Sequence, residues 1–582
     1  MKKCIEGPDY KVLAVNIISL LLALFWVIPS WAESNRNIAA SGGSHEDTLR
    51  LGERMYREGV LPSGDAMQAI VKGDIPVAGT AFTCVSCHLR SGLGSYEGGV
   101  LTPPTNGRNL FRTVKMLYKG VEMTSLPTRR PAYTDASLAE ALRVGVDPSG
   151  RIMSEIMPRY QLQDEDMALL ISYLKSLSAQ FSPGATDATV RLATVITDDV
   201  DDEDRDAMLG PLEDYVRRMN NSAKRYGAYG ANQLQAGMAE SKLISRDVAS
   251  MSLSLSQWLL KGPPETWRSQ LEEYYRKEPV FALVGGITKK EWQPVHMFSE
   301  DHQIPCILPI TDFPVISETD WDTLYFSKGL YQEGEGVARY LNAIDESTND
   351  KSVVEVVHAS REGRALSSGF QETWRELGRS APVTVELKAG ETLTPQMLQQ
   401  LLAGERPAAL VVWAGPDVLP ALETLPDWKN KPEMVFLSSS YLGESIWTLK
   451  DQVRDFIRIT YPFRLPEDEE RYTRIAKSSM RIDKDQGGSL IISKKIYSTI
   501  KVLNQALIGI SGQYYRDNLL DAIDMGKGSV TMGKVVMDET YPLYERFSFG
   551  PGQRYASKGC YIVRLSKGEK PELVRMSDWV IH

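Results

Sequence analysis

The segment Cys84-Val85-Ser86-Cys87-His88 decides the fold of the N-terminal part of this chain. Two thiols three positions apart can each form a thioether bond to one vinyl group of a haem, and the histidine that follows supplies an imidazole for the iron. A structural zinc site needs a second pair of ligands, and the next cysteine, Cys306, has no such partner. A redox-active Cys-x-x-Cys pair needs no histidine. The motif therefore predicts one covalent haem c, with Cys84 and Cys87 as thioether donors and His88 as the proximal iron ligand.

The N-terminus predicts export from the cytoplasm. Three lysines within the first 11 residues precede an apolar run from Val12 to Ile28, and the small residues Ser30 and Ala32 follow. This layout is typical of a secretory signal peptide, here residues 1–32, with residues 33–43 as a flexible segment before the first domain. A retained membrane anchor is the alternative, since the run lies at the lower limit for a spanning helix. With cleavage, we expect a periplasmic protein that does not span the membrane.

Length, charge and the remaining cysteines limit the number of domains, the kind of partner and the state of the thiols that we expect. A chain of 582 residues predicts more than one hydrophobic core. A net charge of -9 argues against a nucleic-acid partner. Cys306 and Cys560 could form a disulfide in an exported protein, but their spacing gives no evidence for one. Two separately buried thiols are therefore expected.

Helical patterns flank the haem motif on both sides. The first runs from Glu46 to Gly59 and carries Gly52 among its apolar residues. The second begins at the acidic Asp164-Glu165-Asp166, where negative charge favours a helix N-terminus. Its apolar residues recur every three or four positions and would form one face. They are Met167, Leu170, Ile171, Leu174 and Leu177.

These features resemble a class I cytochrome c, an all-α domain that would occupy residues 44–182. In that family the first and last helices cross closely at a glycine, which implies a contact at Gly52. The family places a distal methionine on the loop before the last helix. This implies Met157 as the sixth iron ligand, with Met153 as the alternative.

The resemblance also bears on the proximal side of the haem. A proline stretch covers that side in the family, which implies that a carbonyl of Pro103-Pro104 accepts the ring proton of His88. The bridge Val60–Thr83 is longer than in a minimal cytochrome c, and residues 92–99 are rich in glycine. These departures leave the loop geometry open. His45 is the other histidine of this domain, but as an iron ligand it would have to come from ahead of the first helix.

A basic stretch from Arg108 to Arg130 contains a single acid, Glu122. Its basic residues are Arg108, Arg112, Lys115, Lys119, Arg129 and Arg130. One interpretation is a solvated helix face that also contacts haem propionates. The other is a docking patch for an acidic redox partner protein, attracted by long-range charge.

We expect residues 183–187 to form a short linker, because they are rich in turn-forming residues and separate two regions with different sequence patterns. Thereafter buried strand patterns alternate with helical ones. The predicted strands are 190–196, 280–284, 306–309, 353–358, 408–413, 434–438 and 456–461. Residues 363–377 and 395–402 predict helices, the second with Thr394 as its cap and Pro395 at its first position. The alternation predicts parallel, doubly wound α/β sheets over residues 188–582.

The order of these elements resembles the type I periplasmic solute-binding proteins of the branched-chain amino-acid kind. The resemblance rests on strand-end loops: Val284-Gly285-Gly286-Ile287-Thr288, Ile304-Pro305-Cys306-Ile307-Leu308-Pro309-Ile310-Thr311-Asp312, Val411-Val412-Trp413-Ala414-Gly415 and Ser438-Ser439-Ser440-Tyr441. It implies two lobes, residues 188–345 with part of 466–582, and residues 346–465.

A ligand of such a fold lies at the carboxyl ends of the strands. The candidate ligand-binding residues are Gly286, Thr288, Thr311, Asp312, Trp413 and Ser439. The family holds an amino acid with an aromatic and an acidic residue of the second lobe. Neither has a clear counterpart here, so the small-molecule ligand is not inferred to be an amino acid.

The sequence thus predicts a periplasmic mono-haem c-type cytochrome that carries single electrons. It would be fused to a two-lobed α/β module that binds a small molecule or docks a partner. One alternative is a solute receptor for a transporter or sensor with an accessory redox haem. A further alternative is a substrate-oxidising subunit that passes electrons to the haem, although no second cofactor site is evident. Residues 188–582 contain no nucleophile elbow, P-loop or zinc-protease motif, which favours an electron carrier over a catalyst.

Overall fold

The computed structural model divides the chain into two compact units, Met1–Gln180 and Phe181–His582. The residues that it describes are 44–97, 100–115, 129–233, 251–344, 352–403, 406–468, 471, 474, 490–510, 512–526, 541–550 and 552–580. The predicted signal peptide, residues 1–32, and the segment 33–43 lie outside these ranges. No helix within them is long and apolar enough to cross a membrane.

The first unit is a helical domain with short strands between its helices. The helices are α1 (His45–Glu58), α2 (Cys84–His88), α3 (Gly107–Leu110), α4 (Asp135–Arg143) and α5 (Asp164–Ser176). The strands are β1 (Gln68–Val71), β2 (Ile75–Ala78), β3 (Tyr96–Glu97), β4 (Val100–Leu101), β5 (Val114–Lys115), β6 (Arg129–Arg130) and β7 (Arg159–Tyr160). β2, β1 and β7 form an antiparallel sheet in that order. The expected all-α domain therefore also contains a small sheet, built partly from the long bridge Val60–Thr83.

Helices α1 and α5 cross at Gly52, as expected. A Cβ atom at this position would lie 2.5 Å from the carbonyl oxygen of Leu169 and 2.6 Å from the Cβ of Tyr173. The rings of Tyr56 and Tyr173 lie beside this crossing, with centroids 5.5 Å apart. Glycine thus permits an approach that any side chain would prevent.

Gly52→Ala is expected to destabilise the first unit by about 1–3 kcal/mol, because the added methyl group meets a backbone carbonyl that cannot rotate away. Arg50→Ala on the same helix is the control, since Arg50 is exposed and its ion pair with Asp47 contributes little. Thermal unfolding of the haem-loaded protein, followed by haem absorbance, measures both variants. Equal midpoints for the two variants would refute a tight crossing at Gly52.

The second unit alternates strands and helices. Its helices are α6 (Asp202–Gln233), α7 (Trp267–Lys277), α8 (Gln293–Asp301), α9 (Leu330–Ile344), α10 (Arg361–Glu376), α11 (Pro395–Leu401), α12 (Leu419–Leu422), α13 (Ser439–Leu442), α14 (Leu490–Ile510) and α15 (Arg516–Asp524), with 3-10 turns at Pro264–Thr266, Pro416–Val418, Leu425–Asp427 and Gly443–Thr448. Its strands are β8 (Thr189–Thr197), β9 (Ser252–Leu260), β10 (Ala282–Val284), β11 (Cys306–Ile307), β12 (Thr323–Leu324), β13 (Val353–His358), β14 (Val383–Leu387), β15 (Ala409–Trp413), β16 (Met434–Ser438), β17 (Ile457–Tyr461), β18 (Tyr561–Leu565) and β19 (Leu573–Arg575).

The first lobe is built on a parallel sheet in the order β12-β11-β10-β8-β9. Apolar residues of α6, α14 and α15 pack on one face of this sheet. Residues of α7 and α8 pack on the other face. This is a doubly wound α/β arrangement, as the sequence predicts.

The second lobe is built on a sheet in the order β14-β13-β15-β16-β17-β18-β19. The first five strands are parallel, whereas β18 and β19 are antiparallel. The sheet is therefore mixed rather than wholly parallel. Helix α9 also packs in this lobe, because Val337 and Leu341 join Phe370 in one buried cluster. The boundary between the lobes consequently falls before α9 and not at residue 345.

The strands and helices predicted from local sequence patterns are present in the second unit. Each of the seven predicted strands is present, with ends that differ by a few residues. Thr394 caps α11, since its hydroxyl accepts a hydrogen bond from the N–H of Met397 at 3.2 Å. Cys306 and Cys560 are both buried free thiols.

The predicted linker, residues 183–187, lies within the second unit and is bonded to it. The N–H of Ser182 donates to the carbonyl of Tyr514 at 3.1 Å. The Ser182 hydroxyl accepts from the N–H of Arg516 at 3.0 Å. Gly184 has φ +86°, and a Cβ there would lie 2.1 Å from the backbone nitrogen of Phe281. The segment is thus held against the first lobe.

Candidate haem site and ligand cleft

The haem motif forms the single helical turn α2. Cys84 is buried and Cys87 is exposed, and both are free thiols. Burial raises the pKa of Cys84 to about 12, so this thiol is protonated at neutral pH. One turn of helix places the two thiols and the imidazole of His88 side by side, which is the donor set that a covalent haem requires.

His88 is held in the tautomer that an iron ligand needs. Its Nδ1 lies 2.9 Å from the carbonyl oxygen of Pro103, the partner that the resemblance implied. Burial lowers the pKa of His88 to about 4, although the bond to Pro103 acts in the opposite direction. The imidazole is therefore neutral, with the proton on Nδ1, and the lone pair of Nε2 is available to a metal. These residues fit haem c.

The glycine-rich segment after the motif brings Pro103 back to His88. The N–H of Gly94 donates to the carbonyl of His88 at 3.1 Å, and the N–H of Thr102 donates to the carbonyl of Ser95 at 2.8 Å. Gly94 has φ +77°, and a Cβ there would lie 2.1 Å from the carbonyl oxygen of Thr102. The loop can close only because this position carries no side chain.

In the second unit, a cleft opens where strand ends of the two lobes meet. Its cavity volume is about 40 Å³, and its mouth is open to solvent. Its lining residues are Pro309, Thr311, Asp312, Tyr325, Phe326, Ser327, Gly329, Leu330, Ser440, Pro462, Phe463, Lys495 and Tyr544. Aromatic rings, hydroxyl groups and two opposite charges therefore converge there.

Lys495 is the cation of this cleft. It is half-buried on α14, and its ammonium lies 5.7 Å from the centroid of the Phe326 ring. Burial lowers its pKa, and the charge of Asp312 partly offsets this effect. Burial also raises the pKa of Tyr544, and the negative charge of Asp312 adds to the rise. Within the described ranges, Lys495 forms no ion pair with Asp312 or with any other carboxylate.

Comparison with protein families gives a match to the part of the chain that contains the haem motif. Residues 78–178 match the cytochrome c family. The match includes the whole haem motif and continues through α5, so the expected resemblance is confirmed over this part of the chain. A cytochrome c domain carries covalent haem c and transfers electrons. No curated protein sequence shows significant similarity to the chain.

Three of the solved structures that are similar to the chain come from Rhodospirillum rubrum, Bordetella pertussis and Thermus thermophilus. A putative branched-chain amino-acid ABC transporter protein of Rhodospirillum rubrum is 13% identical, covers 68% of this chain and 100% of its own, and has a TM-score of 0.41. A type 1 periplasmic binding protein of Bordetella pertussis Tohama I is 12% identical, with coverages of 67% and 100% and a TM-score of 0.43. A branched-chain amino-acid ABC transporter protein of Thermus thermophilus with bound valine is 13% identical, with coverages of 68% and 97% and a TM-score of 0.42. The two sheets described above, rather than these distant similarities, define the architecture of the second unit.

Both candidate distal ligands of the cytochrome c domain lie on one loop. Met153 and Met157 are half-buried, and both pack against the hydrophobic cluster that contains Cys84. The N–H of Met157 donates to the carbonyl of Ser154 at 3.1 Å. This packing is the same for the two thioethers, so Met157 stays the prediction and Met153 the alternative.

The basic stretch of the cytochrome c domain is only partly described, because residues 116–128 lie outside the described ranges. Arg130 serves the domain's own structure. Its guanidinium donates to the carbonyls of Asn109, Leu110 and Pro131 at 2.6–3.3 Å and lies 4.5 Å from the centroid of the Tyr133 ring. Docking of an acidic partner on this stretch therefore stays a prediction for its other residues.

Two of the six predicted ligand-binding residues, Thr311 and Asp312, line the cleft. Ser440 lines it in place of its neighbour Ser439, whose buried hydroxyl has no hydrogen-bond partner in the described structure. The structure thus brings Ser440 rather than Ser439 to the cleft, and ligand binding by Ser439 stays a prediction. Reading the pattern from β16 alone does not reveal which serine of the following turn faces the cleft.

The other three predicted residues have structural roles and do not line this cleft. Trp413 is fully buried in the core of the second lobe, 6.4 Å from the Phe370 ring. Gly286 has φ +98°, and a Cβ there would lie 2.6 Å from the ring of Trp292. The hydroxyl of Thr288 accepts from the hydroxyl of Thr197 at 2.9 Å. These contacts join residues that are far apart in the chain, so the local sequence pattern does not predict them.

Lys495 and Tyr544 were missed by the sequence reasoning. One signal for Lys495 was available, because Lys494 and Lys495 interrupt the strongly apolar pattern of α14. A charged residue on the buried face of a helix is rare unless it has a partner or a function. Tyr544 lies in a segment without regular periodicity, and nothing nearby in the sequence marks it.

Proposed function

We propose that the protein is an exported electron carrier in which a cytochrome c domain with one haem c is joined to a small-molecule-binding unit. The observation that supports the first part best is α2, where Cys84, Cys87 and His88 share one turn and Pro103 fixes the imidazole. Bound there, haem iron would alternate between Fe(II) and Fe(III) and so carry one electron at a time.

Different residues of the domain would bind different parts of the haem. Cys84 and Cys87 would supply the two thioether bonds. His88 would bind the iron through Nε2, and the Pro103 carbonyl would keep its ring in place. Met157, or alternatively Met153, would supply a soft thioether ligand to the iron, which would favour Fe(II) and raise the reduction potential.

For the second unit we propose a ligand that carries an anionic group on a flat or apolar body. The ammonium of Lys495 faces a cleft with the aromatic side chains of Phe326, Phe463 and Tyr544. A half-buried charge without an ion pair is costly, and an anionic ligand would offset that cost. The carboxylate of Asp312 could accept a hydrogen bond from a donor on the same ligand.

Benzoate is expected to raise the melting temperature of the full-length protein, whereas benzyl alcohol, its neutral analogue, is expected to raise it less. Lys495→Met should weaken benzoate binding roughly 10- to 100-fold, the range expected for one charged hydrogen bond. Lys501→Met is the control, because Lys501 lies on the same helix but does not line the cleft. Differential scanning fluorimetry and titration calorimetry provide the measurements. If benzoate does not bind, or binds equally to both variants, the proposed ligand class is wrong.

The same cleft supports a second candidate function, a solute receptor that uses its haem as a redox reporter. In a reporter, ligand affinity must differ between the oxidised and the reduced protein, because coupling between two sites is reciprocal. Calorimetry with a probe that binds, on protein poised in each oxidation state, separates the two functions. Equal affinities favour the electron carrier with an independent binding unit.

A further inference from the structure

We propose that Arg159 and the hairpin inserted before the haem motif form a buttress for the methionine loop, residues 153–158. Arg159 is the positioning residue of this buttress. The hairpin consists of β1 and β2 and lies within the bridge Val60–Thr83. This inference rests on the proposed haem site, with Met157 or Met153 as distal ligand.

Arg159 binds the backbone of the methionine loop at three points. Its Nη1 donates to the carbonyl of Met157 at 2.6 Å. Its Nη2 donates to the carbonyls of Met153 and Ser154 at 3.0 and 3.2 Å. A single guanidinium therefore ties together the two ends of the loop, including both methionines that could bind the iron.

The chain leaves space for this guanidinium at Gly145, which follows α4. Gly145 has φ +84°, and a Cβ atom there would lie 2.0 Å from Nε and 2.3 Å from Nη2 of Arg159. The carbonyl of Gly145 also accepts from the N–H of Met153 at 2.8 Å. The loop is thus bonded to the segment after α4 as well as to Arg159.

The inserted hairpin holds the loop from the other side. In β1, Ala69 and Ile70 pair with Tyr160 and Arg159 of β7. Just beyond the strand, the N–H of Lys72 donates to the carbonyl of Glu155 at 3.1 Å. Strand β7 therefore cannot shift without breaking the sheet, and the guanidinium of Arg159 stays in register with the loop.

Tyr160 extends the buttress to the haem motif. Its hydroxyl donates to the carbonyl of Phe82 at 2.6 Å and lies 4.0 Å from the Sγ of Cys84. Two adjacent residues, Arg159 and Tyr160, thus hold the methionine loop and the start of the haem motif at once. The consequence is a distal methionine whose backbone is fixed relative to the thioether cysteines.

Arg159→Gln tests the inference in the haem-loaded, full-length protein. The first readout is the near-infrared sulfur-to-iron charge-transfer band of the oxidised protein, recorded against temperature. The second is carbon monoxide binding by the reduced protein, which requires the thioether to leave. We expect the band to disappear at a lower temperature and the apparent affinity for carbon monoxide to rise roughly 10- to 100-fold, because a charged donor is lost.

Arg143→Gln is the matched control, since Arg143 also donates to a backbone carbonyl of this domain, that of Leu162, at 2.8 and 3.0 Å. It should leave both readouts unchanged. Gly145→Ala, whose methyl group would displace the guanidinium, should reproduce the effect of Arg159→Gln. It also serves as the test if Arg159→Gln does not fold.

The outcomes separate this inference from the proposed haem site. A wild-type protein without the near-infrared band would refute methionine ligation and, with it, the buttress. A wild-type band that persists with unchanged temperature dependence in both Arg159→Gln and Gly145→Ala would overturn the buttress alone. Equal effects of Arg159→Gln and Arg143→Gln would also overturn it, because they would indicate general destabilisation.

Discussion

The double substitution of Cys84→Ala and Cys87→Ala is expected to abolish covalent haem attachment. Both thioether bonds are then lost, and coordination by His88 alone does not survive denaturation. The wild-type protein, produced in a host that attaches haem c, should give a peroxidase-stained band on a denaturing gel. The double variant should give the same protein band without the stain.

The two single variants test whether each cysteine forms a thioether bond by itself. One remaining thioether is a covalent link, so Cys84→Ala and Cys87→Ala should each retain some stain if the protein accumulates. Cys306→Ala is the control, because this thiol is buried in the first lobe and belongs to no haem motif. A stained band in the double variant would show that the haem is attached elsewhere in the chain.

Loss of the distal ligand is the second large effect that we expect. Met157→Ala should abolish the near-infrared sulfur-to-iron band of the oxidised protein. Its reduction potential should also fall, because the thioether stabilises Fe(II) relative to Fe(III). Met153→Ala should keep the band, since Met157 occupies the position next to Pro158 and the last helix that the family uses.

The reciprocal outcome would correct the ligand assignment. If Met153→Ala removes the band and Met157→Ala keeps it, Met153 is the ligand. Arg159 donates to the backbone carbonyls of both residues, and alanine keeps those carbonyls, so neither substitution removes the bonds that hold the loop. Retention of the band in both variants would exclude the methionine loop as the source of the ligand.

Features whose cause is local could be predicted from the sequence. The haem motif is a contiguous pentapeptide on one turn, so its chemistry is evident without the rest of the chain. The cap at Thr394 depends on residues within three positions of it. Gly52 required the family resemblance as well, because its partners Leu169 and Tyr173 are distant in sequence.

Features that depend on distant contacts could not be predicted. The pairing of β1 with β7 joins short segments about 90 residues apart, neither of which has a strong strand pattern. Trp413 ends a strand beside a predicted ligand loop, yet residues of helix α10 pack against it. Lys495 reaches the cleft only because α14 returns to the first lobe after the chain has built most of the second.

Haem stoichiometry tests the central claim most directly. The pyridine haemochrome spectrum distinguishes haem with two thioether bonds from haem with free vinyl groups, and the intact mass of the purified chain counts the haems attached. We predict the spectrum of haem c and a mass increase of one haem per chain, located on a peptide that contains Cys84 and Cys87. A chain without covalent haem, or a haem on any other peptide, would contradict the account.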